Sequence, residues 1–339
     1  MTSPTNPAGR PKIIAEIAQG YEGRPDYCDF YVRAAARAGA DAVKFQIVYA
    51  DDVAEPGYEY YDWYKKLEMP VEAWRAVRDR AAAEGIPFLA NLSGERAASI
   101  AEAIGPDGIT IHASNFFNRP LIKRAFDAGA RVFIYLGGIE IDEIDRFCAQ
   151  AADWNVLDRL VLMYGFQAEP TPIEKSGVAR LPLLRRRFPD VELGYLDHAA
   201  GGSDDTVHIS ILAMALGVDW IEKHLTLSRY MEVEDYVSAL EPDEFAAYVE
   251  TLTRVSTAIG PEEPKLNEDE RQYRDKSVKK IFAAVDLSPG TVLAEAHLAF
   301  KRSARIAPFA GFHDPAALFG QRVIRPIAAG DPILAEDVQ

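Results

Sequence analysis

Over the first 260 residues, short apolar runs alternate with longer stretches in which apolar residues recur every three or four positions. Eight of the short runs predict strands, at 12–17, 42–47, 87–91, 108–112, 131–136, 159–164, 192–197 and 219–224, and a helical pattern follows each. Eight parallel strands with crossover helices in about 250 residues point to the α/β class and to a closed (β/α)8 TIM barrel. An open doubly wound sheet is the rival, but no GxGxxG follows any strand. Pro70 opens a helix that runs to Glu84 and stops at Gly85. Pro242 opens another, with Asp243 and Glu244 in its first turn and Gly260 at its end.

The pattern then changes. Residues 261–276 are highly charged with almost no apolar period, which predicts a linker. Strand-like runs resume from 277 to 339, with an internal echo: LSPGTVLAEAHL at 287–298 and IAAGDPILAEDV at 327–338. The organisation expected is a polar N-terminal tail (1–10), a barrel (11–260), the linker, and a compact pseudo-symmetric cap (277–339). A unit of about 60 residues is small for independent stability, so the cap is expected to pack on a barrel, its own or a partner's.

Composition narrows the partners. The 339 residues are 48% hydrophobic and 26% charged, with a net charge of -15 and a pI near 4.9. Such a surface repels nucleic acid and anionic membranes. The first ten residues lack the apolar core of a signal peptide, and no apolar run approaches the ~20 residues of a membrane helix. Cys28 and Cys148 are far apart without metal spacing. Two buried free thiols and a cytoplasmic location are expected.

Barrel enzymes work at the C-terminal ends of their strands. There the sequence offers Glu16 in strand one, and Lys44 and Gln46 on one face of strand two. Strand seven ends in Asp197-His198 and strand eight in Glu222-Lys223-His224. Two imidazoles at one height suit a divalent metal with positions left open for water or substrate. The plainer alternatives are two separately hydrogen-bonded histidines and a buried Lys44–Glu16 ion pair.

At these residues the chain resembles the sialic acid synthase family, which includes legionaminic and pseudaminic acid synthases and spore-coat homologues. Matching segments include IIAEI (13–17), GADAVKFQ (39–46), YKKLEMPVEAW (64–74), NRPLI (118–122), EPTP (169–172), GYLDH (194–198), ALGVDWIEKHLTL (215–227) and SALEPDEF (238–245). The tail, with LFG at 318–320, looks like the family's SAF (antifreeze-like) domain. The resemblance implies a metal-dependent condensation of phosphoenolpyruvate with the open-chain aldehyde of an N-acylated amino sugar. It implies manganese, or magnesium or another divalent ion, on His198 and His224. It also implies a domain-swapped homodimer in which Arg302 of one cap reaches the partner's sugar site. Asp235 falls where the family binds sugar, and Glu16, Lys44 and Gln46 match site positions.

The departures cluster where the phosphate should bind. Against the family's KIxSGE, the chain reads Thr110-Ile111-His112-Ala113-Ser114-Asn115. Against STGM it has Leu136-Gly137-Gly138-Ile139, the Ser of GYSDH is Leu196, the PFD reads Pro87-Phe88-Leu89, and the NHxG reads Gly20-Tyr21-Glu22-Gly23. A phosphate facing Leu136 and Leu196 would be poorly solvated. The expectation is a retained metal and aldehyde half and a remodelled phosphate half, with Lys44 still able to hold a carboxylate. His112, inward by period two with Thr110, is a candidate acid/base or third metal ligand, or else a hydrogen-bonded core histidine. Thr110, Asn115, Tyr164 and Gln167 complete the candidate substrate contacts. Three readings stay open: a synthase, a metal-dependent aldolase or lyase without phosphoenolpyruvate, and a non-catalytic sugar-binding homologue.

Overall fold

The structure, a computed structural model, describes residues 10–260 and 264–339. Residues 1–9 of the expected tail and 261–263 at the start of the expected linker lie outside the described residues. Eight strands, β1 (Lys12–Glu16), β2 (Ala42–Ile47), β3 (Phe88–Leu92), β4 (Gly108–Ile111), β5 (Arg131–Tyr135), β6 (Leu160–Tyr164), β7 (Glu192–Asp197) and β8 (Trp220–His224), close into one barrel in chain order. All eight pairings are parallel.

Period-two alternation sorts the barrel interior into levels. At the N-terminal end, Trp220 Nε1 donates to Glu192 Oε2 at 2.6 Å, Lys12 Nζ lies 4.7 Å from the Trp220 ring centre, and Arg131 pairs with Glu192. Above them Ile14, Ala42, Leu89, Phe133, Val161, Met163 and Leu196 form a dry plug. Phe133 meets Trp220 edge-on with ring centres 4.9 Å apart. A Cβ on Gly194 would fall 2.1 Å from Met163 Sδ, so only glycine lets that side chain cross the barrel. The next level is polar, with Glu16 registered opposite both Lys44 on β2 and His224 on β8. A plug below and charges above leave the chemistry at the C-terminal mouth.

Outside, helices cover the strands. Pro70 caps the helix Val71–Ala83, and the helix Pro242–Ser256 starts with a capping box between Glu241 and Glu244. Cys28 and Cys148 are buried and unpaired. Among the described residues no helix is long and apolar enough to cross a membrane.

The chain divides into two compact units, Met1–Pro261 and Glu262–Gln339. The segment expected to be a linker instead holds the helix Glu268–Ser277. None of its residues is buried, so it needs no apolar stripe. An Asn267–Glu270 capping box and the Glu268–Arg271 pair hold it locally.

The second unit bears out the echo. Its antiparallel pair β9 (Lys280–Ala283) and β10 (Leu298–Lys301) lies over a core of Ile281, Leu287, Leu293, Leu318, Val323, Ile327 and Ile333. Leu287 and Ile327 exchange both backbone hydrogen bonds, at 2.8 and 3.0 Å. Around this pair, bonds recur at equivalent positions of the two halves. Gly290 N donates to Val323 O and Gly330 N to Ala283 O, while Leu293 N donates to Gln321 O and Ile333 N to Ile281 O. Both glycines have positive φ, 91° and 83°, as the turn preceding each strand-like run requires.

Candidate active site at the barrel mouth

A cavity of about 440 Å³ opens at the C-terminal ends of the strands. Glu16, Lys44, Gln46, His112, Asn115, Gln167, His198, His224 and Asp235, all singled out from sequence, line it together. So do Glu169, Glu222, Tyr135, Asn91 and Glu234, which were not.

At the floor, Lys44 Nζ sits 2.6 Å from Glu16 Oε2 and 2.8 Å from Glu222 Oε1, and it also bonds the Tyr135 hydroxyl. That hydroxyl in turn donates to the other oxygen of Glu222. Glu16 Oε1 accepts from Ala18 N at 2.8 Å. Burial pulls the Lys44 ammonium below its ordinary pKa and Glu222 opposes that pull. Burial likewise pushes the Tyr135 phenol well up. The Lys44 ammonium thus hydrogen-bonds Tyr135 and Glu222 and lies in ion-pair distance of Glu16, so its charge already faces two carboxylates of the chain itself.

On the other side, His198 and His224 present their rings edge-on with centres 5.0 Å apart. Their Nε2 atoms lie 3.3 and 3.9 Å from one oxygen of Glu169. Asp235 Oδ2 faces His224 Nδ1 at 3.9 Å. Burial, then Lys223 and Lys44, pushes His198 down to about 3. Burial, then His198, takes His224 well below its usual value. Both rings are neutral at pH 7, the form that binds metal. Burial, then Asp235, pushes Glu169 up to about 8; burial, then Glu234, pushes Asp235 up to about 7. Two neutral imidazoles and one carboxylate converging within 4.8 Å fit a divalent first-row ion.

Below this pair, outside the barrel, Lys223 donates to Ala199 O at 2.7 Å and lies 3.5 Å from Asp197. Asp197 accepts from Ala199 N, Thr206 and Ser210. This buried set pins the ends of β7 and β8, and so the two histidines. His198 O also accepts from Thr171 N at 2.8 Å and from Ser238 Oγ at 3.0 Å.

Several expectations need correction. Tyr164 follows the inward Met163, so by alternation it turns out of the barrel, where the Arg180 guanidinium stacks 5.6 Å from its ring centre. Thr110 is fully buried and does not line the cavity; His112, two residues on, does. Tyr21 is buried on the outer face, its hydroxyl donating to Gln46 O at 2.9 Å. Leu136 and Leu196 pack into the outer and inner cores, and neither borders the cavity. His112 does not join the cluster of ligand-type atoms around His198 and His224; Glu169 does. His112 Nδ1 accepts from Ser114 N at 3.2 Å, which leaves the proton on Nε2. Burial, then Lys44, lowers its pKa to about 4. Arg302 belongs to the second unit, where its Nε donates to Ser277 O.

Glu222 was legible, since it shares the face of His224 by period two; Tyr135 shares the face of Phe133 in the same way. Glu169 stands in the loop after β6, where no period operates, and its only signal was its place in EPTP.

Spore coat polysaccharide biosynthesis protein SpsE of Bacillus subtilis is 25% identical over 354 residues, covering 96% of this chain and 93% of its own. N-acetylneuraminate-9-phosphate synthase of Homo sapiens is 25% identical, covering 96% and 91%. The crystal structure of a spore coat polysaccharide biosynthesis protein E from Chromobacterium violaceum superposes with a TM-score of 0.81, covering 97% of this chain and all of that one at 20% identity. Residues 31–264 match the NeuB family and residues 279–339 the SAF domain. The chain therefore belongs to the NeuB family, a sialic-acid-synthase-like TIM barrel followed by a SAF domain.

Proposed function

We propose that the chain condenses phosphoenolpyruvate with the open-chain aldehyde of an N-acylated amino sugar, giving a 2-keto-3-deoxy acid and phosphate. The observation that carries this reading is the meeting of His198 and His224 beside a cavity that also contains Glu16, Lys44, Gln46 and Asp235. C3 of the enol bonds to the aldehyde carbon, the aldehyde oxygen takes a proton, water adds at C2, and phosphate leaves. His198 and His224 would hold a divalent ion, manganese first and magnesium next, which when bound would supply Lewis-acid polarisation of the aldehyde.

The chain's own groups divide the work. Asp235 and Gln46 face the cavity as hydrogen-bonding groups for a polyhydroxylated acceptor. Across the cavity, Asn91, Asn115 and Gln167 supply neutral amides, and His112 supplies its Nε2–H. We assign the phosphoenolpyruvate anion to this side, where neutral donors replace the lost lysine and hydroxyls. Glu16 and Glu222 flank Lys44 at the floor, and Glu222 opposes the pull of burial on its ammonium. The alternative of an aldolase or lyase without phosphoenolpyruvate draws no support from the relatives. We further propose a homodimer in which Arg302 of one cap serves the partner's sugar site, acting in the cytoplasm. Sedimentation and the activity of Arg302→Ala test the dimer: a monomeric or fully active variant removes this part.

Phosphorus NMR of phosphoenolpyruvate with the protein, manganese and a panel of amino-sugar aldehydes tests the reaction. Phosphate release that needs both aldehyde and metal is expected, together with its loss in the His198→Ala/His224→Ala double variant. A double variant that still binds one manganese removes the site assignment. Consumption of pyruvate in place of phosphoenolpyruvate sinks the proposed donor.

A further inference from the structure

We infer that Glu169 is a third protein ligand of the metal, so that the chain itself supplies a two-histidine, one-carboxylate face and holds the ion before either substrate arrives. The inference rests on the metal reading of His198 and His224 and adds a residue to it. Three independent features support it.

The first is distance. Ligand atoms about 2.1 Å from a common ion lie about 3.0 Å apart at right angles and about 3.4 Å apart in a tetrahedron. Glu169 Oε1 lies 3.3 Å from His198 Nε2 and 3.9 Å from His224 Nε2, with one oxygen facing both rings. Of the described His, Cys, Asp and Glu residues, these three form the group whose ligand atoms all lie within 4.8 Å of one another, close enough for small side-chain shifts to bring them onto one ion.

The second is fixation. Glu169 stands in a loop, yet that loop is tied down on both sides. Thr171 Oγ1 lies 2.8 Å from Phe166 O and 2.9 Å from Ala168 O and shares its one hydrogen between these carbonyls, closing the turn around the glutamate. Thr171 N then donates to His198 O, fastening the same turn to the residue whose ring Glu169 faces. At the head of the loop a Cβ on Gly165 would fall 2.4 Å from Leu196 O, so glycine lets the loop lie against β7. Metal sites depend on this kind of support around their ligands.

The third is charge. No arginine or lysine is paired with Glu169 among the ion pairs of the described residues; its close partners are the two histidines. A carboxyl group without a lysine or arginine ion-pair partner, turned toward two neutral nitrogen donors and able to give up its proton to a metal, has the composition of a hard–borderline site that takes Mn2+, Fe2+ or Zn2+ and leaves positions open for substrate oxygens.

Metal-stripped full-length protein, titrated with MnCl2 in a calorimeter without substrates, tests the inference. Wild type should bind one equivalent. Glu169→Gln, which keeps the shape but loses the charge, should bind at least tenfold more weakly, and Glu169→Asp should recover part of the loss. Co2+ in place of Mn2+ should give a visible absorption band that shifts in Glu169→Gln, a change that a merely structural carboxylate would not cause. Equal manganese affinity and an unchanged Co2+ band in Glu169→Gln overturn the third ligand and leave the histidine pair standing. Failure of the wild type to bind manganese overturns the histidine site as well. Circular dichroism of the stripped Gln variant establishes that its fold is kept.

Discussion

Among the described residues Lys44 is the one ammonium lining a cavity that six acidic side chains also line: Glu16, Asp52, Glu169, Glu222, Glu234 and Asp235. Its value is therefore first to the carboxylates beside it. Lys44→Met strands Glu16 and Glu222 in the barrel without a cation and should cost about 3–5 kcal/mol in urea unfolding at neutral pH. The deficit should shrink on acidification as the stranded carboxyls take up protons. Glu169 gives a prediction of the opposite kind. Its pKa of about 8 in the fold means that the folded protein keeps a proton which the unfolded chain has already released. Stability of the metal-free protein therefore falls as pH rises from about 4.5 toward 8. Glu169→Gln escapes that loss, so its melting temperature should gain on wild type through this window and level off above it. Parallel slopes for the two proteins would contradict the assignment. The meeting of His198 and His224 could be read from sequence because each stands at a strand end, whereas Glu169 could not, because a loop carries no period to betray which way a side chain points.

At the scale of elements, the ends of β7 and β8 bring His198 and His224 to the cavity while Asp197 and Lys223 bind them together from outside. Asp197 accepts three hydrogen bonds besides facing Lys223. Asp197→Ala should therefore cost about 3–5 kcal/mol by leaving Lys223 buried and unpaired, measured by urea unfolding, and should weaken metal binding although the residue never touches the ion. Strand positions were legible from sequence to within two residues at either end because both barrel faces are buried and read as continuous apolar runs. Tyr164 shows the limit: a strand end identifies height in the barrel, and only the neighbouring Met163 identifies the side. The helix Glu268–Ser277 was missed for the converse reason. With nothing to bury, it leaves no apolar pattern, and its evidence lay in the Asn267–Glu270 cap alone.

At the scale of the whole chain, two units of unlike construction follow one another. The barrel was legible as an eightfold repeat of strand and helix, the second unit as a twofold repeat with no helix periodicity at all. What sequence could not supply was the axis of that repeat, since pairing depends on which backbone groups meet. The axis runs through Leu287 and Ile327, each of which satisfies the other's N–H and C=O. A polypeptide ending near residue 305 would keep Leu287 but lose its mate, and its exposed strand would find the same mould in a second identical copy. Such a truncated chain should therefore gain a pairing contact through its stump, read in sedimentation as an assembly with more copies than full-length protein forms at equal concentration. The fold thus carries a built-in template for self-recognition, which becomes sticky only when half of it is taken away.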